Sequence, residues 1–206
     1  MEKLDYKKAF KDLYLPKNIP TIIIVPPIPF VMIDGEGDPN SEEFAIATAA
    51  LYSFSYSVKM SYKSNNVPEG YYQYTVFPLE GVWDLIDKSV SAKVKSNFAY
   101  SIMIRQPDFL TEDLFERFLS ETKKKKPNVY LDKMRYETIT EGPCCQMLHI
   151  GSYDNEADSF IKMEEFCLNN DFRRISKTHR EIYLSDPRKV DSSKLKTVLR
   201  FKVERV

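Results

Sequence analysis

The chain has few of the residues that most often carry metal and thiol chemistry: two His and three Cys among 206 residues. His149 and His179 stand 30 positions apart, outside metal-ligand spacing, so neither a metal nor any other cofactor is expected. Cys144 and Cys145 are neighbours that do not easily bridge each other, which leaves Cys167 as the other partner. Reduced thiols in a cytoplasmic protein are the simpler expectation. Net charge is also missing, because 30 basic side chains balance 30 acidic ones. Direct nucleic-acid binding, which needs a basic excess to neutralise phosphates, is therefore not expected. Glycine is scarce, and Gly35-Glu36-Gly37 is too short and too acidic to cradle a phosphate. No Gly-x-Ser-x-Gly nucleophile elbow occurs. Long hydrophobic runs are absent too. The longest, Ile19 to Ile33, is interrupted by Pro20, Pro26, Pro27 and Pro29 and falls short of the ~20 residues a spanning helix needs. Residues 1–17 are charged and amphipathic, without the apolar segment of a secretory signal, so neither a membrane nor a targeting role is expected.

What the chain has in excess is aromatic surface, with 13 Tyr and 13 Phe beside a single tryptophan, Trp83. At 43% hydrophobic and 29% charged residues, the composition predicts a folded core.

Residues 1–18 read as a polar lead-in with a short helix. Pro26 to Ile33 is strand-like and enters the turn-forming run Asp34 to Asn40. Ser41 then caps a helix whose apolar positions Phe44, Ala47, Leu51, Phe54 and Val58 keep helical spacing. Strands are predicted at Tyr71–Phe77 and Phe98–Ile104. A helix follows at 111–124, and its Lys123–Lys126 run suits a solvated C-terminus favoured by the helix dipole. Further strands are expected at Tyr136–Thr140, Cys144–Ile150, Thr178–Leu184 and Leu195–Val203, with a helix at Ala157–Asn169.

The two halves echo each other. Gly35 and Gly151, Asp38 and Asp154, and Phe44 and Phe160 are each 116 positions apart. In both places a strand enters a Gly/Asp loop and then an amphipathic helix, which points to a duplicated module. The expected fold class is α+β: tandem βαββ modules with pseudo-twofold symmetry, an antiparallel sheet with helices on one face, and a central ligand groove. The expected organisation is one domain over 1–206. Within it lie a lead-in over 1–18, a first half over about 19–106, a linking helix over about 111–124, and a second half over about 134–206.

Thr178-His179-Arg180-Glu181-Ile182-Tyr183-Leu184 is the most informative segment. Strand alternation places Arg180, Ile182 and Leu184 on one face and His179, Glu181 and Tyr183 on the other. If the apolar face packs under helices, Glu181 is aimed at the open side, between an imidazole and a phenol. A carboxylate among rings has its charged form disfavoured, which suits a general acid or base; a solvated Glu paired with Lys or Arg is the plainer alternative. Gly81, two residues before Trp83, suggests a turn that projects the indole, although a lone Trp also fits an ordinary core. Tyr52 and Tyr56 recur at i and i+4 on the first long helix, a stripe that fits either its own sheet or a ligand.

Several runs then carry a resemblance: Gly35-Glu36-Gly37-Asp38-Pro39-Asn40, Ser55-Tyr56-Ser57-Val58-Lys59, Pro78-Leu79-Glu80-Gly81-Val82-Trp83, Ile104-Arg105-Gln106-Pro107, Glu141-Gly142-Pro143-Cys144-Cys145-Gln146-Met147-Leu148-His149-Ile150-Gly151, and Glu181-Ile182-Tyr183-Leu184-Ser185-Asp186-Pro187-Arg188. In this order they resemble the stand-alone GyrI-like proteins over nearly the whole chain. The resemblance implies the tandem βαββ fold of the effector-binding domains of multidrug-responsive regulators, with the ligand-binding part alone. Some members open the strained cyclopropane of cyclopropylpyrroloindole toxins, a detoxification that confers drug resistance. Others sequester ligands or modulate DNA gyrase. Carried over by motif, the groove glutamate is Glu181, and the aromatic walls include Trp83 and Tyr52 or Tyr56; strand alternation adds Tyr183 and His179 beside the carboxyl. Asp84 stands where the family often has a second Trp, and Arg180 where it often has a second His. A flat aromatic small molecule is thus the expected partner, with gyrase a weaker candidate.

Overall fold

The computed structural model describes residues 3–206. Ser41 opens the first long helix as its sequence requires: its Oγ accepts from the Phe44 N–H, and Glu42 and Glu43 occupy the first turn, where the helix dipole favours acids. Thr111 does the same for the next long helix, with its Oγ1 accepting from the Leu114 N–H.

The chain forms two compact units that interleave in sequence. The first takes residues up to Tyr6, Ile28–Leu79 and Leu85–Ile139; the second takes Lys7–Pro27, Glu80–Asp84 and Thr140–Val206. In the first unit, β2 (Ile28–Glu36) pairs antiparallel with β4 (Phe98–Arg105) on one side and β5 (Arg135–Ile139) on the other. Helix α3 (Glu42–Lys59) buries Leu51, Phe54 and Val58 completely, and α4 (Glu112–Lys125) adds Phe115, whose ring packs on Phe54 at 5.4 Å. Both faces of β2 are covered, since Phe30, Val31, Met32 and Ile33 are all buried.

The second unit is a five-strand ladder in the order β1 (Thr21–Val25), β6 (Gly142–Ile150), β9 (Lys196–Arg205), β8 (His179–Tyr183) and β3 (Leu79–Leu85), all antiparallel. A short β7 (Phe172–Arg174) pairs with the far end of β9. Helix α5 (Glu156–Leu168) lies on one face, where Met163 and Cys167 pack on Cys145, Met147, Leu199 and Phe201. The opposite face meets the end of α2 (Lys11–Tyr14), which follows the one-turn α1 (Tyr6–Ala9) in the chain, through polar contacts: Tyr14 donates to Glu80 at 3.2 Å, and Arg200 donates to the Leu13 carbonyl at 2.9 Å.

In chain order the elements run β2-α3-β3-β4 and then β6-α5-β8-β9, so the tandem α+β architecture with antiparallel pairing holds. Three local expectations change. Tyr71–Phe77 is not a strand. Its rings form an aromatic cluster with Phe109, Tyr71 and Phe109 having centroids 5.2 Å apart, and its only ladder contact among the described residues is a single bridge from Leu4 to Tyr74. Trp83 is not on a turn but inside β3. Thr21–Val25 is a strand in its own right, held by β6.

Candidate functional site

In an antiparallel ladder, residues directly opposite each other point to the same face. Glu181 is opposite Leu199 and Gly81, and His179 is opposite Trp83. Leu199 packs under α5, so Glu181 also points to the α5 face. This reverses the expectation of an open side. Ile182 and Arg180 turn instead to the face that meets Tyr14, because α5 covers only one side of the ladder.

Four of the expected residues come together here. The Trp83 Nε1–H donates to the Tyr183 hydroxyl at 2.9 Å, and that hydroxyl donates to Glu181 Oε2 at 2.8 Å. His179 Nε2 is 3.0 Å from Glu181 Oε1. His179 Nδ1 faces the Lys177 carbonyl at 3.3 Å, so hydrogen on Nε2 serves the carboxylate and the imidazolium serves both oxygens. The carboxyl therefore holds a donor at each oxygen, beneath an indole that is only 7% exposed. Tyr183 is kept a phenol: burial and then the Glu181 charge push its hydroxyl well above the ordinary range.

The indole reaches Tyr183 by lying across Gly81. A Cβ at that position would sit 2.7 Å from Trp83 Nε1 and 3.3 Å from the Tyr183 hydroxyl oxygen. The glycine is needed for space, not for an unusual backbone angle. Gly81→Ala is thus expected to displace the indole and break the Trp83–Tyr183 bond, at a cost of ~1–3 kcal/mol from overpacking. A red-shifted Trp emission and a lowered melting temperature would show this; an unchanged emission spectrum would refute it.

Sequence reasoning missed three contributors. Glu156, one residue before the expected helix at Ala157–Asn169, is the first residue of α5, buried against Glu181. Burial first, then the Glu181 charge and a hydrogen bond to it, push the Glu156 carboxyl well above the usual carboxylate range. Tyr153 sets its ring edge-on to Tyr183 at 5.9 Å, and burial pushes its hydroxyl up to about 12. Phe160 packs edge-on to the His179 ring at 4.7 Å. The available signal was the repeat itself, since Phe160 matches Phe44, which packs edge-on to Tyr100 at 5.1 Å in the first unit.

Tyr52 and Tyr56 lie on α3 in the first unit, where their rings approach each other at 6.5 Å. Asp84 accepts from Thr178 Oγ1 at 2.9 Å. Cys144 and Cys145 are fully buried, and burial pushes the Cys144 thiol up to about 12 and Cys145 up as well, which keeps both inert. A cleft of about 250 Å³ beside α5 is lined by Asn18, His149, Asp158, Ser159 and Lys162. His149 there has partners at both ring nitrogens, Ser159 Oγ at 2.9 Å and the Ser152 carbonyl at 3.0 Å, and so serves the fold. Among the described residues, no group of His, Cys, Asp and Glu could hold a metal ion, and no helix is long and apolar enough to cross a membrane.

Several solved structures resemble this chain. An uncharacterised conserved protein from Listeria innocua is 38% identical, with a TM-score of 0.92 over 98% of this chain and 100% of its own. A hydrolase from Listeria innocua is 36% identical, with a TM-score of 0.92 over 98% of this chain and all of its own. The C-terminal domain of EcmrR shares the fold at 13% identity, with a TM-score of 0.58 over 91% of this chain and 98% of that one. No functionally curated protein matches the chain. The profile of the GyrI-like small molecule binding domain matches residues 20–204, and the chain belongs to that family.

Proposed function

We propose that this protein binds flat, largely apolar aromatic molecules against Trp83 and Tyr183 and adds water to a strained, electrophilic ring, with Glu181 as the general base. The observation that carries this reading is the Trp83–Tyr183–Glu181 chain of hydrogen bonds, which holds one carboxyl among rings on the α5 face. The proposed substrate class is the cyclopropylpyrroloindoles. A water oxygen bonds to the cyclopropane carbon while the strained C–C bond breaks. The released electron pair passes to the conjugated carbonyl oxygen. The proton leaving the water goes to Glu181, and the oxygen that gained charge takes up a proton, so the sum is one water added. Tyr153, a phenol that burial keeps protonated near neutral pH, suits donation to the developing oxyanion, since the Tyr183 hydrogen is held by Glu181. The reaction would consume a DNA-alkylating toxin and so protect the cell. The whole chain is proposed as one ligand-binding domain.

One observation favours a second reading, binding without chemistry: both Glu181 oxygens already hold protein donors, as they would in a site built only to recognise a ligand. Incubation with a cyclopropylpyrroloindole, followed by mass spectrometry, separates the two. Recovery of the ring-opened, hydrated product supports hydrolysis. Quenching of Trp83 fluorescence with the ligand recovered intact supports sequestration, and no quenching at all overturns both.

A further inference from the structure

Glu156 is a buried carboxyl at this site with no role in the proposed reaction. It belongs to the first turn of α5, where the helix dipole would favour a charged carboxylate. It is nevertheless buried against Glu181, a second carboxyl, and both cannot hold a full charge at hydrogen-bond range. Glu181 already accepts from His179 and Tyr183, which suits it to be the charged member. Glu156 Oε1 is buried with no hydrogen-bond partner among the described residues, which suits a neutral acid better than an anion.

We propose that Glu156 is a positioning residue for Glu181, its buried carboxyl donating a hydrogen bond to the Glu181 carboxylate. With His179 and Tyr183 it forms a third donor, locking the base in line for attack on water. When Glu156 loses that proton, two carboxylates face each other and the Glu181 side chain is pushed from its place. The groups facing Glu156 are Glu181 and Tyr183 from β8, and Tyr153 and Asp154 from the turn before α5, while His179 bonds Glu181. This inference deepens the reading of Glu181 as a base but can fail separately from it.

The linkage has a definite sign. A carboxyl whose folded-state pKa is raised binds more protons folded than unfolded between the two pKa values. Stability therefore falls as pH rises from the ordinary carboxyl range towards the raised value. Gln at 156 keeps an N–H donor and cannot titrate. Trp83, the only Trp, reports the site without any ligand, through its bond to Tyr183. The wild type is expected to show a pH transition in Trp83 emission above the ordinary carboxyl range, together with a melting temperature that declines across the same interval. Glu156→Gln is expected to erase both changes, whereas Glu156→Asp shifts the transition and His179→Gln leaves it in place. On a ring-opening substrate, wild-type turnover falls on the alkaline side of that transition, and Glu156→Gln holds its rate there. A wild type without the transition, or a Glu156→Gln variant with the same transition, overturns the proposal. Failure of an aromatic ligand to quench Trp83 overturns the function instead and leaves the ligand-free titration intact.

Discussion

Glu181→Gln is expected to bind an aromatic ligand with an affinity close to the parent's and to open its strained ring ~10²–10⁴-fold more slowly, the range lost when a positioned acid or base is removed. The substitution is nearly isosteric, so the indole over Gly81 and the Tyr183 ring keep their places. What changes is the chemistry of two oxygens. In the parent, Oε1 and Oε2 accept from His179 and Tyr183, and the carboxylate can take the proton of an attacking water. The amide keeps one acceptor and sets an N–H₂ against a donor, and it has no affinity for a proton at neutral pH. Glu156 responds as well: with the opposing charge gone, its carboxyl falls back towards the ordinary range, held up by burial and Asp154. The decisive comparison is ligand quenching of Trp83 beside mass-spectrometric product formation. Quenching retained and ring opening lost assigns the base. Full turnover by the variant removes Glu181 from the chemistry altogether.

Much of this site was legible in the sequence, for a reason that can be stated. Strand alternation in His179–Tyr183 is a local rule, and it put His179, Glu181 and Tyr183 on one face and Arg180 on the other. Which face carries the helix is a tertiary fact. It depends on β8 pairing with β9, whose Leu199 and Phe201 pack under α5, and periodicity within β8 holds no information about that. Gly81 misled in an instructive way. A glycine near an aromatic reads as a turn, but here it sits in mid-strand, and its missing Cβ provides the room in which the indole lies. Glu156 was invisible because its partner is 25 positions away, and an acid at the start of a helix looks like routine dipole compensation. The Tyr71–Phe77 segment was miscast since Tyr, Thr and Val raise strand propensity whether or not a neighbouring strand is present to pair.

The face of the ladder opposite Glu181 carries the largest expected loss of stability. Arg180 and Arg200 are directly cross-strand there, each 2% exposed, a placement that would repel unless anions intervened. Glu141 intervenes, accepting from Arg180 Nε at 3.0 Å and from Arg200 Nη1 at 3.3 Å. Glu80 takes the other end of Arg180 at 2.9 Å, and Gln146 accepts from Arg200 at 3.0 and 3.1 Å. Burial works against the Glu141 charge, but the two guanidiniums outweigh it and hold that carboxyl below its usual range. Burial pushes Glu80 up despite the same cations, as expected of the carboxyl with the weaker share of them. Arg200→Met fills the space but leaves Glu141 and Glu80 to divide one cation and strips the Leu13 carbonyl of its donor. Breaking a buried pair on one side costs ~3–5 kcal/mol. For a chain of this length that lowers the melting temperature by about 6–20 °C. The deficit should be largest above the ordinary carboxyl range and shrink as acid neutralises Glu141, so melts at several pH values test cause as well as size. Arg200→Met combined with Glu141→Gln should recover part of the loss, because the uncompensated charge is gone. Arg200→Lys should not restore the parent, since an ammonium cannot span Gln146, Glu141 and Leu13 at once. A loss below ~1 kcal/mol would mean the cluster is dispensable. If the full loss appears, the network does more than fill a core. By tying Arg180 to Glu80 and Glu141 on one side of β8, it fixes the register that presents Glu181 on the other.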